Sequence, residues 1–439
     1  MYKKVSKIEI VSFGLMLFSI FFGAGNLIFP PALGQAAGVS MFSAMLGFLI
    51  TGVGLPLLGV LAIGLAGGEY TKMIENRVHR NFMLVMLIIL NLTIGPLFAI
   101  PRTGAVSFEV GFRPFLTPEY EVLGHFVYTL FFFGLTYFLA LNPSKLVDWV
   151  GKLLTPILLF FIGLLVVQGI FAPLGSLQAP TEAYYHAPFL QGVQSGYLTM
   201  DLLAFIAIGS IVVNSMKDKG INKPADITKY CTIAGLISAS LMSVVYVSLA
   251  YLGASSVEVL GQSENGGVIL ASVANLYFGH MGNVILAIII SFACLTTSCG
   301  LSASCATFFS GLFYGKVAYK QCLIVFTLFS MAAANVGLTT LIELSVPFLV
   351  GIYPMVIVLV ILSMSEALFG KKREVYWGSL GLTFIFSIFD GLQAANIHFD
   401  LVHQFFTKYL PLYTFNFGWV VPSIAGAIIG YIVASFRRA

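Results

Sequence analysis

Charge is scarce in this chain. Asp, Glu, Lys and Arg make up only 9% of its 439 residues, whereas soluble domains carry about 25%. Hydrophobic residues make up 59%, which is above the roughly 45–50% that is usual in globular proteins. We therefore predict a polytopic, all-α membrane protein.

Cysteine and catalytic motifs are also sparse. The five cysteines form no CxxC pair, so we interpret them as packing residues rather than as a disulfide framework. There is no GxxxxGKS/T phosphate loop and no HExxH motif, and the six histidines are scattered over loops and span edges. These absences argue against ATP hydrolysis and against an obvious metalloenzyme.

Long apolar runs fill the rest of the sequence. A hydrocarbon core needs about 20 apolar residues per helix, and runs of this length recur between short charged segments. We predict about twelve spans, at 8–36, 41–66, 82–107, 121–141, 146–171, 190–216, 227–253, 266–298 (extending toward 313), 317–337, 339–363, 375–395 and 413–435. Residues 1–439 then form a single membrane domain.

Lysine and arginine concentrate in every second connection. With the N-terminus inside, nineteen of the 22 basic residues fall on the cytoplasmic side, as the positive-inside rule requires. We expect a multi-pass protein of the plasma (inner) membrane, with cytoplasmic N- and C-termini and an uncleaved first helix. The net charge of +4 then reflects topology and indicates no nucleic-acid partner.

The segment FFGAGNLIFPP, at 21–31, interrupts the first span. Irregular backbone at membrane depth is tolerated only where protein or water covers it, so the break predicts a cavity. We expect Pro30 or Pro31 to open a half-helix whose positive N-terminal end suits a carboxylate. A proline kink with close glycine packing is the alternative.

A second interruption lies in span 6, at 190–216, where Thr199 and Asp201 fall in the outer half. A carboxylate inside the membrane is costly and indicates function. The alternative is a protonated Asp201 that only caps its own helix break. Because spans 1 and 6 enter from opposite faces, the paired breaks indicate a transporter with inverted repeats and a site near the bilayer midplane.

Two further polar groups lie in the spans. Thr296, Thr297 and Ser298 are consecutive in span 8; such hydroxyls commonly bond back to their own helix. A hard cation such as Na+ prefers several oxygen ligands, which these hydroxyls and carbonyls freed by the first break would supply. Arg102 and Glu109, in or near span 3, lie on one helix face, and we expect them to form an ion pair near the outer surface.

The motifs GAGNLIFPP, GFLITGVGLP (47–56) and YLTMD (197–201) together resemble the branched-chain amino acid transport system II carrier proteins over essentially the whole chain. This resemblance implies the fold of the sodium-coupled leucine transporter. Residues 8–172 and 190–363 would be inverted repeats of five spans each, and 375–435 two additional helices. It also implies inward transport of leucine, isoleucine and valine, driven by Na+ or by H+.

The same resemblance implies an ion site. GAGN is similar to the GxGN of the leucine transporter's first helix, and ACLTTS (293–298) is similar to its AGLTSS. The implied Na+ ligands are the carbonyls of Ser19, Phe22 and Ala293 and the hydroxyls of Thr296 and Thr297. Asn26 corresponds to a ligand of a second, substrate-linked sodium.

We expect the substrate to bridge the two breaks. Its carboxylate would meet the N–H groups of Gly23, Ala24 and Gly25, next to Asn26. Its ammonium would meet the carbonyls of Thr199 and Met200 and the Asp201 side chain. The aliphatic side chain would pack on Phe22, Ala204, Phe205 and Ile208. One methylene is worth about 1–3 kcal/mol in such a pocket, so discrimination among leucine, isoleucine and valine should be modest.

Other classes of membrane protein fit these residues less well. A channel would show a repeated polar pore lining, whereas polar residues here concentrate in three patches. An enzyme needs an acid, base or nucleophile constellation, and Asp201 has no His or Lys partner at membrane depth, so we expect no enzymatic activity. An H+-coupled symporter using Asp201 and a carrier of another small solute stay open. The expected partners are the small-molecule substrate and the lipid bilayer; no obligate protein partner is evident.

Overall fold

The computed structural model describes residues 6–65, 77–141, 155–397 and 399–437, and these are organised in α-helices. The first eight are α1 (Lys7–Phe21), α2 (Ala24–Ala37), α3 (Met41–Leu49), α4 (Leu55–Leu65), α5 (Arg80–Leu92), α6 (Ala99–Gly111), α7 (Glu121–Ala140) and α8 (Thr155–Phe171). They are followed by α9 (Glu182–His186), α10 (Pro188–Tyr197), α11 (Asp201–Ile208), α12 (Ser210–Asp218), α13 (Pro224–Leu260) and α14 (Gly266–Leu312). The last are α15 (Tyr319–Ala334), α16 (Leu338–Met364), α17 (Glu366–Phe369), α18 (Arg373–Ala394), α19 (Asp400–Tyr409) and α20 (Val420–Phe436).

The helices agree with the predicted membrane fold. Within the described ranges, seven helical segments are long and apolar enough to cross a membrane. Some predicted boundaries are wrong. The last helix begins at Val420 rather than at 413, and the predicted span from 266 bends at Gly279, where φ is +61°. Residues 146–154 of the fifth predicted span lie outside the described residues.

The break in the first span is confirmed, but its restart is not where the prolines are. α1 ends at Phe21 and α2 begins at Ala24, with Gly23 in an extended conformation between them. Asn26 Oδ1 accepts the Gly23 N–H at 2.9 Å and so caps the new helix. The prediction that Pro30 or Pro31 opens the half-helix is wrong, because this cap starts α2 earlier and leaves both prolines inside it.

The structure comprises two compact units. Unit 1 contains Met1–Gly54, Leu90–Ile208 and Ile233–Leu341, and unit 2 contains Leu55–Ile89, Gly209–Thr232 and Ile342–Ala439. The functional residues predicted from the sequence all fall in unit 1.

In unit 1, glycines bring the half-helix α2 into backbone contact with α13 and α14. A Cβ atom on Gly34 would lie 1.9 Å from the Ala250 carbonyl oxygen, and one on Gly266 would lie 1.7 Å from the Ile28 carbonyl oxygen. Such close approach is typical of membrane helices packed through small residues. The contacts hold α2, and therefore the break before it, in a fixed position.

In unit 2, α18 packs closely against α20. Gly378 and Gly426 allow this approach, since a Cβ on either would lie 2.2 Å from the other's carbonyl oxygen. Asp390, which is fully buried, accepts the backbone N–H groups of Gly418 (3.2 Å) and Trp419 (3.1 Å) just before α20. Asp390 thus faces protein and satisfies donors at a helix start.

Candidate substrate and ion site

The second break lies between α10 and α11, at residues 198–200. Met200 has a φ of +61°, a left-handed conformation that is uncommon for a residue with a side chain. The Thr199 hydroxyl donates to the Gly196 carbonyl at 2.9 Å, which ends α10. The predicted interruption is therefore confirmed, and Asp201 is the first residue of the next helix.

Asn26 and Asp201 join the two breaks directly. Asn26 Nδ2 donates to Asp201 Oδ2 at 2.7 Å. The Tyr246 hydroxyl of α13 donates to the same oxygen at 3.1 Å and is hydrogen-bonded to Asn26 Nδ2. All three side chains are buried, so this cluster is a polar network in a low-dielectric interior, where hydrogen bonds are strong.

Tyr246 is a site residue that the sequence analysis missed. It is fully buried, with its ring edge-on to Phe48 at a centroid distance of 5.3 Å and stacked near Phe22 at 6.5 Å. A tyrosine in an apolar span gives only a weak signal, because its ring packs like that of any other aromatic residue. Its polarity in the middle of the predicted seventh span was the available clue.

Arg102 is a second residue at the breaks, although the sequence indicated it only as a partner of Glu109. Its Nη1 atom donates to the Leu198 carbonyl at 2.7 Å, inside the second break, and its guanidinium lies 5.0 Å from the centre of the Phe29 ring. The expected pairing with Glu109 is wrong, since Glu109 is bound by Arg113 one turn further along. Arg113 lies just past the end of α6 at Gly111 and four residues after Glu109, so it is nearer to Glu109 along the chain than Arg102.

The predicted ion ligands come from two parts of the chain, the end of α1 and α14. The hydroxyls of Thr296 and Thr297 donate to the Ala293 carbonyl, at 2.8 Å and 3.1 Å. This is the back-bonded arrangement that the sequence left open. Thr297 also reaches the break, because a Cβ on Gly23 would lie 3.3 Å from its methyl carbon and 3.5 Å from its hydroxyl oxygen.

The carbonyl ligands predicted on α1 lie where that helix stops. The Gly23 N–H donates to the Phe21 carbonyl at 2.9 Å, whereas a continued helix would direct it to Ser19. Phe22 leaves the helical conformation, with ψ at +84°. All five predicted ion ligands offer only oxygen atoms, and this donor chemistry fits a hard cation.

The residues predicted for the apolar wall differ in their burial. Phe22 is buried and stacks on Phe18 at 4.8 Å. Phe205 is also buried but packs against Phe21, at 5.3 Å. Ala204 is half-buried, and the side chain of Ile208 lies outside the described residues.

Sequence comparisons agree with this architecture. A family model described as branched-chain amino acid transport protein matches residues 6–437. The chain is 48% identical to the branched-chain amino acid permease BrnQ of Bacillus subtilis, with 100% of this chain and 99% of the permease covered. It is 42% identical to the branched-chain amino acid transport system 2 carrier protein of Pseudomonas aeruginosa, covering 97% and 95%. The resemblance is confirmed, as is the expectation of a transporter rather than an enzyme.

Solved structures support the fold. Mhp1, a nucleobase-cation-symport-1 family transporter, matches with a TM-score of 0.61 at 12% identity, over 97% of this chain and 91% of Mhp1. MhsT in complex with L-phenylalanine matches with a TM-score of 0.53 at 14% identity, over 99% of both chains. Both are leucine-transporter-fold proteins, so that fold is confirmed, while the inverted repeats stay a prediction.

Proposed function

The chain belongs to the branched-chain amino acid transport protein family, and we propose that it imports leucine, isoleucine and valine together with Na+. The proposal combines this membership with the geometry of the two breaks. Import would proceed toward the side that carries most of the lysine and arginine, which is the cytoplasm by the positive-inside rule.

The substrate would lie between the breaks. N–H groups of Gly23, Ala24 and Gly25, at the start of α2, suit its carboxylate. The backbone carbonyls of Thr199 and Met200 and the Asp201 carboxylate suit its ammonium. The bond between Asn26 and Asp201 supports this arrangement, because it holds the two segments together at the proposed site.

Na+ would bind where α14 meets the first break. The supporting observation is the closeness of Thr297 to Gly23, which brings Thr297 to the break after α1. On ion binding the Thr296 and Thr297 hydroxyls would turn from the Ala293 carbonyl, leaving that carbonyl, with those of Ser19 and Phe22, to complete an oxygen shell.

One continuous set of contacts carries the proposal. Thr297 contacts Gly23, Gly23 donates to Asn26, and Asn26 donates to Asp201. An ion at one end and a substrate at the other would thus order the same segment, so that each favours the binding of the other. This shared segment is our physical basis for coupling.

H+ coupling is the second candidate. The observation that favours it is the burial of the Asp201 carboxylate with Tyr246 and Asn26. Protonation of Asp201 would replace an accepted hydrogen bond by a donated one and so loosen its bond to Asn26. In this case Asp201 would carry the driving proton instead of the substrate ammonium.

The test is uptake of labelled leucine into proteoliposomes, with an inward Na+ gradient and, separately, an inward H+ gradient. Na+-driven uptake that excess isoleucine and valine inhibit, and alanine does not, supports the proposal. Uptake driven only by H+ moves the coupling role to Asp201. A lack of leucine uptake under both gradients overturns the substrate assignment.

A further inference from the structure

Arg102 contacts both interrupted segments from a third helix. It lies in α6 with only 4% of its surface exposed. Its guanidinium donates to the Leu198 carbonyl at the second break and lies beside Gly25 in the first turn of α2. A buried cation is costly, so its position against both breaks calls for a function.

Gly25 makes room for this guanidinium. A Cβ on Gly25 would lie 3.0 Å from Arg102 Nη2 and 3.4 Å from Cζ. Glycine is unfavourable inside a helix, and here it allows the cation to reach the backbone at the start of α2. The Phe29 ring, one turn further along α2, lies 5.0 Å from Cζ and helps to fix the guanidinium by a cation–π contact.

We propose that Arg102 binds the carboxylate of the transported amino acid and thereby selects amino acids over amines. This inference rests on the function proposed above and adds to it a residue that determines specificity. A guanidinium carries five N–H donors in a planar fork that matches a carboxylate. The bond from Nη1 to Leu198 orients that fork, and its Nη2 edge lies at Gly25, where the helix start also attracts negative charge.

The opposite charge lies at the second break. Asp201 follows the Leu198–Met200 linker directly, so an acidic and a basic side chain both border the interrupted backbone. A zwitterion brings a carboxylate to Arg102 and an ammonium to Asp201, whereas an amine brings no carboxylate to the guanidinium. The site therefore discriminates against ligands that lack the carboxylate charge.

Competition by leucinamide tests this role. It is compared with unlabelled leucine as an inhibitor of labelled leucine uptake by wild-type proteoliposomes and by the Arg102→Gln variant. We expect Arg102→Gln to raise the half-inhibitory concentration of leucine about tenfold or more, as loss of a charged hydrogen bond predicts. Inhibition by leucinamide should stay unchanged, so that the preference for leucine collapses. Arg102→Lys keeps the positive charge but lacks the planar guanidinium. This variant should therefore retain part of the preference for leucine over leucinamide.

The control is Arg113→Gln, which removes an arginine that pairs with Glu109, and it should keep the wild-type preference. If Arg102→Gln does not fold, Gly25→Ala tests the same contact, because its Cβ displaces the guanidinium. Its matched control is Gly300→Ala, where a Cβ meets nothing within 4 Å. Gly25→Ala should weaken inhibition by leucine more than inhibition by leucinamide.

If Arg102→Gln changed the half-inhibitory concentrations of leucine and leucinamide by the same factor, the inference would be overturned. Such a result would indicate a structural role for Arg102. An unchanged half-inhibitory concentration of leucine in Arg102→Gln would overturn the inference as well. Neither outcome contradicts the proposed function, because both compare the variant with wild-type protein that takes up leucine. Wild-type protein that takes up no leucine would overturn the proposed function first, and this inference with it.

Discussion

Asn26 Nδ2 lies 2.7 Å from Asp201 Oδ2, and this hydrogen bond joins two segments that are 175 residues apart in the sequence. Each residue stands at a helix interruption inside an apolar span. A charge-assisted bond between buried groups is stronger than its counterpart in water. The two interruptions are therefore connected, and a substitution at either should change the geometry of the other.

Replacement of the Asp201 carboxylate tests its role in transport. Asp201→Asn keeps the shape of the side chain but removes its charge, so we expect Na+-driven leucine uptake to fall about tenfold or more. The measurement is the initial rate of uptake in proteoliposomes. Asp390→Asn alters a buried carboxylate in unit 2 and should retain uptake per folded molecule. Full gradient-driven uptake by Asp201→Asn would exclude an obligatory charge at this position.

The hydroxyl of Thr297 should set the affinity for Na+. Thr297→Ala is expected to raise the half-saturating Na+ concentration for leucine uptake about tenfold, because one oxygen ligand is lost. Thr307→Ala is a matched control, since Thr307 also bonds back within α14, to the Ala303 carbonyl at 2.8 Å. An identical Na+ dependence in both variants would argue against the ion site.

The Tyr246 hydroxyl should support the Asn26–Asp201 bond. Tyr246→Phe keeps the ring against Phe48 and removes the hydroxyl that donates to Asp201 and accepts from Asn26. We expect a loss of about 0.5–1.5 kcal/mol in stability and a several-fold decrease in leucine uptake. Tyr319→Phe, which removes a bond to the Ala140 carbonyl, should cost similar stability and leave uptake unchanged. Equal uptake by the two variants would contradict a special role for Tyr246.

Close packing of α2 should make Gly34 intolerant of a side chain. A Cβ there would overlap the Ala250 carbonyl, and overpacking typically costs about 1–3 kcal/mol. Gly34→Ala should therefore lower the thermal unfolding midpoint of the purified protein. Gly300→Ala adds the same atom in open space and should leave the midpoint unchanged. A stable Gly34→Ala variant would show that α2 can move away from α13.

Local features of the sequence were sufficient to locate both breaks. Gly23, Gly25 and Asn26 are poor choices for a continuous helix in hydrocarbon, and Asp201 is costly there, so the residues themselves indicate interruption. The exact restart of α2 was not predictable from Pro30 and Pro31, because the Asn26 cap decides it. Proline inside a membrane helix is tolerated when neighbouring groups satisfy the freed carbonyls.

Long-range contacts account for what the sequence did not reveal. Tyr246 meets Asn26 from a helix 220 residues away, and no local pattern marks such a pair. The position of Arg102 depends on where α6 begins and on the space that Gly25 leaves. The spacing of Arg102 and Glu109 along one helix does not reveal the contacts of Arg102 with α2 and the second break. Contacts between helices therefore determine where the Arg102 side chain lies.

The most direct test of coupling through the first break is equilibrium binding of leucine to the purified protein, in Na+ and in choline at constant pH. A shared segment predicts tighter leucine binding in Na+, by about fivefold or more. It also predicts that leucine tightens Na+ binding by the same factor, and that Thr297→Ala weakens both effects. Equal leucine affinity in Na+ and choline would contradict the account.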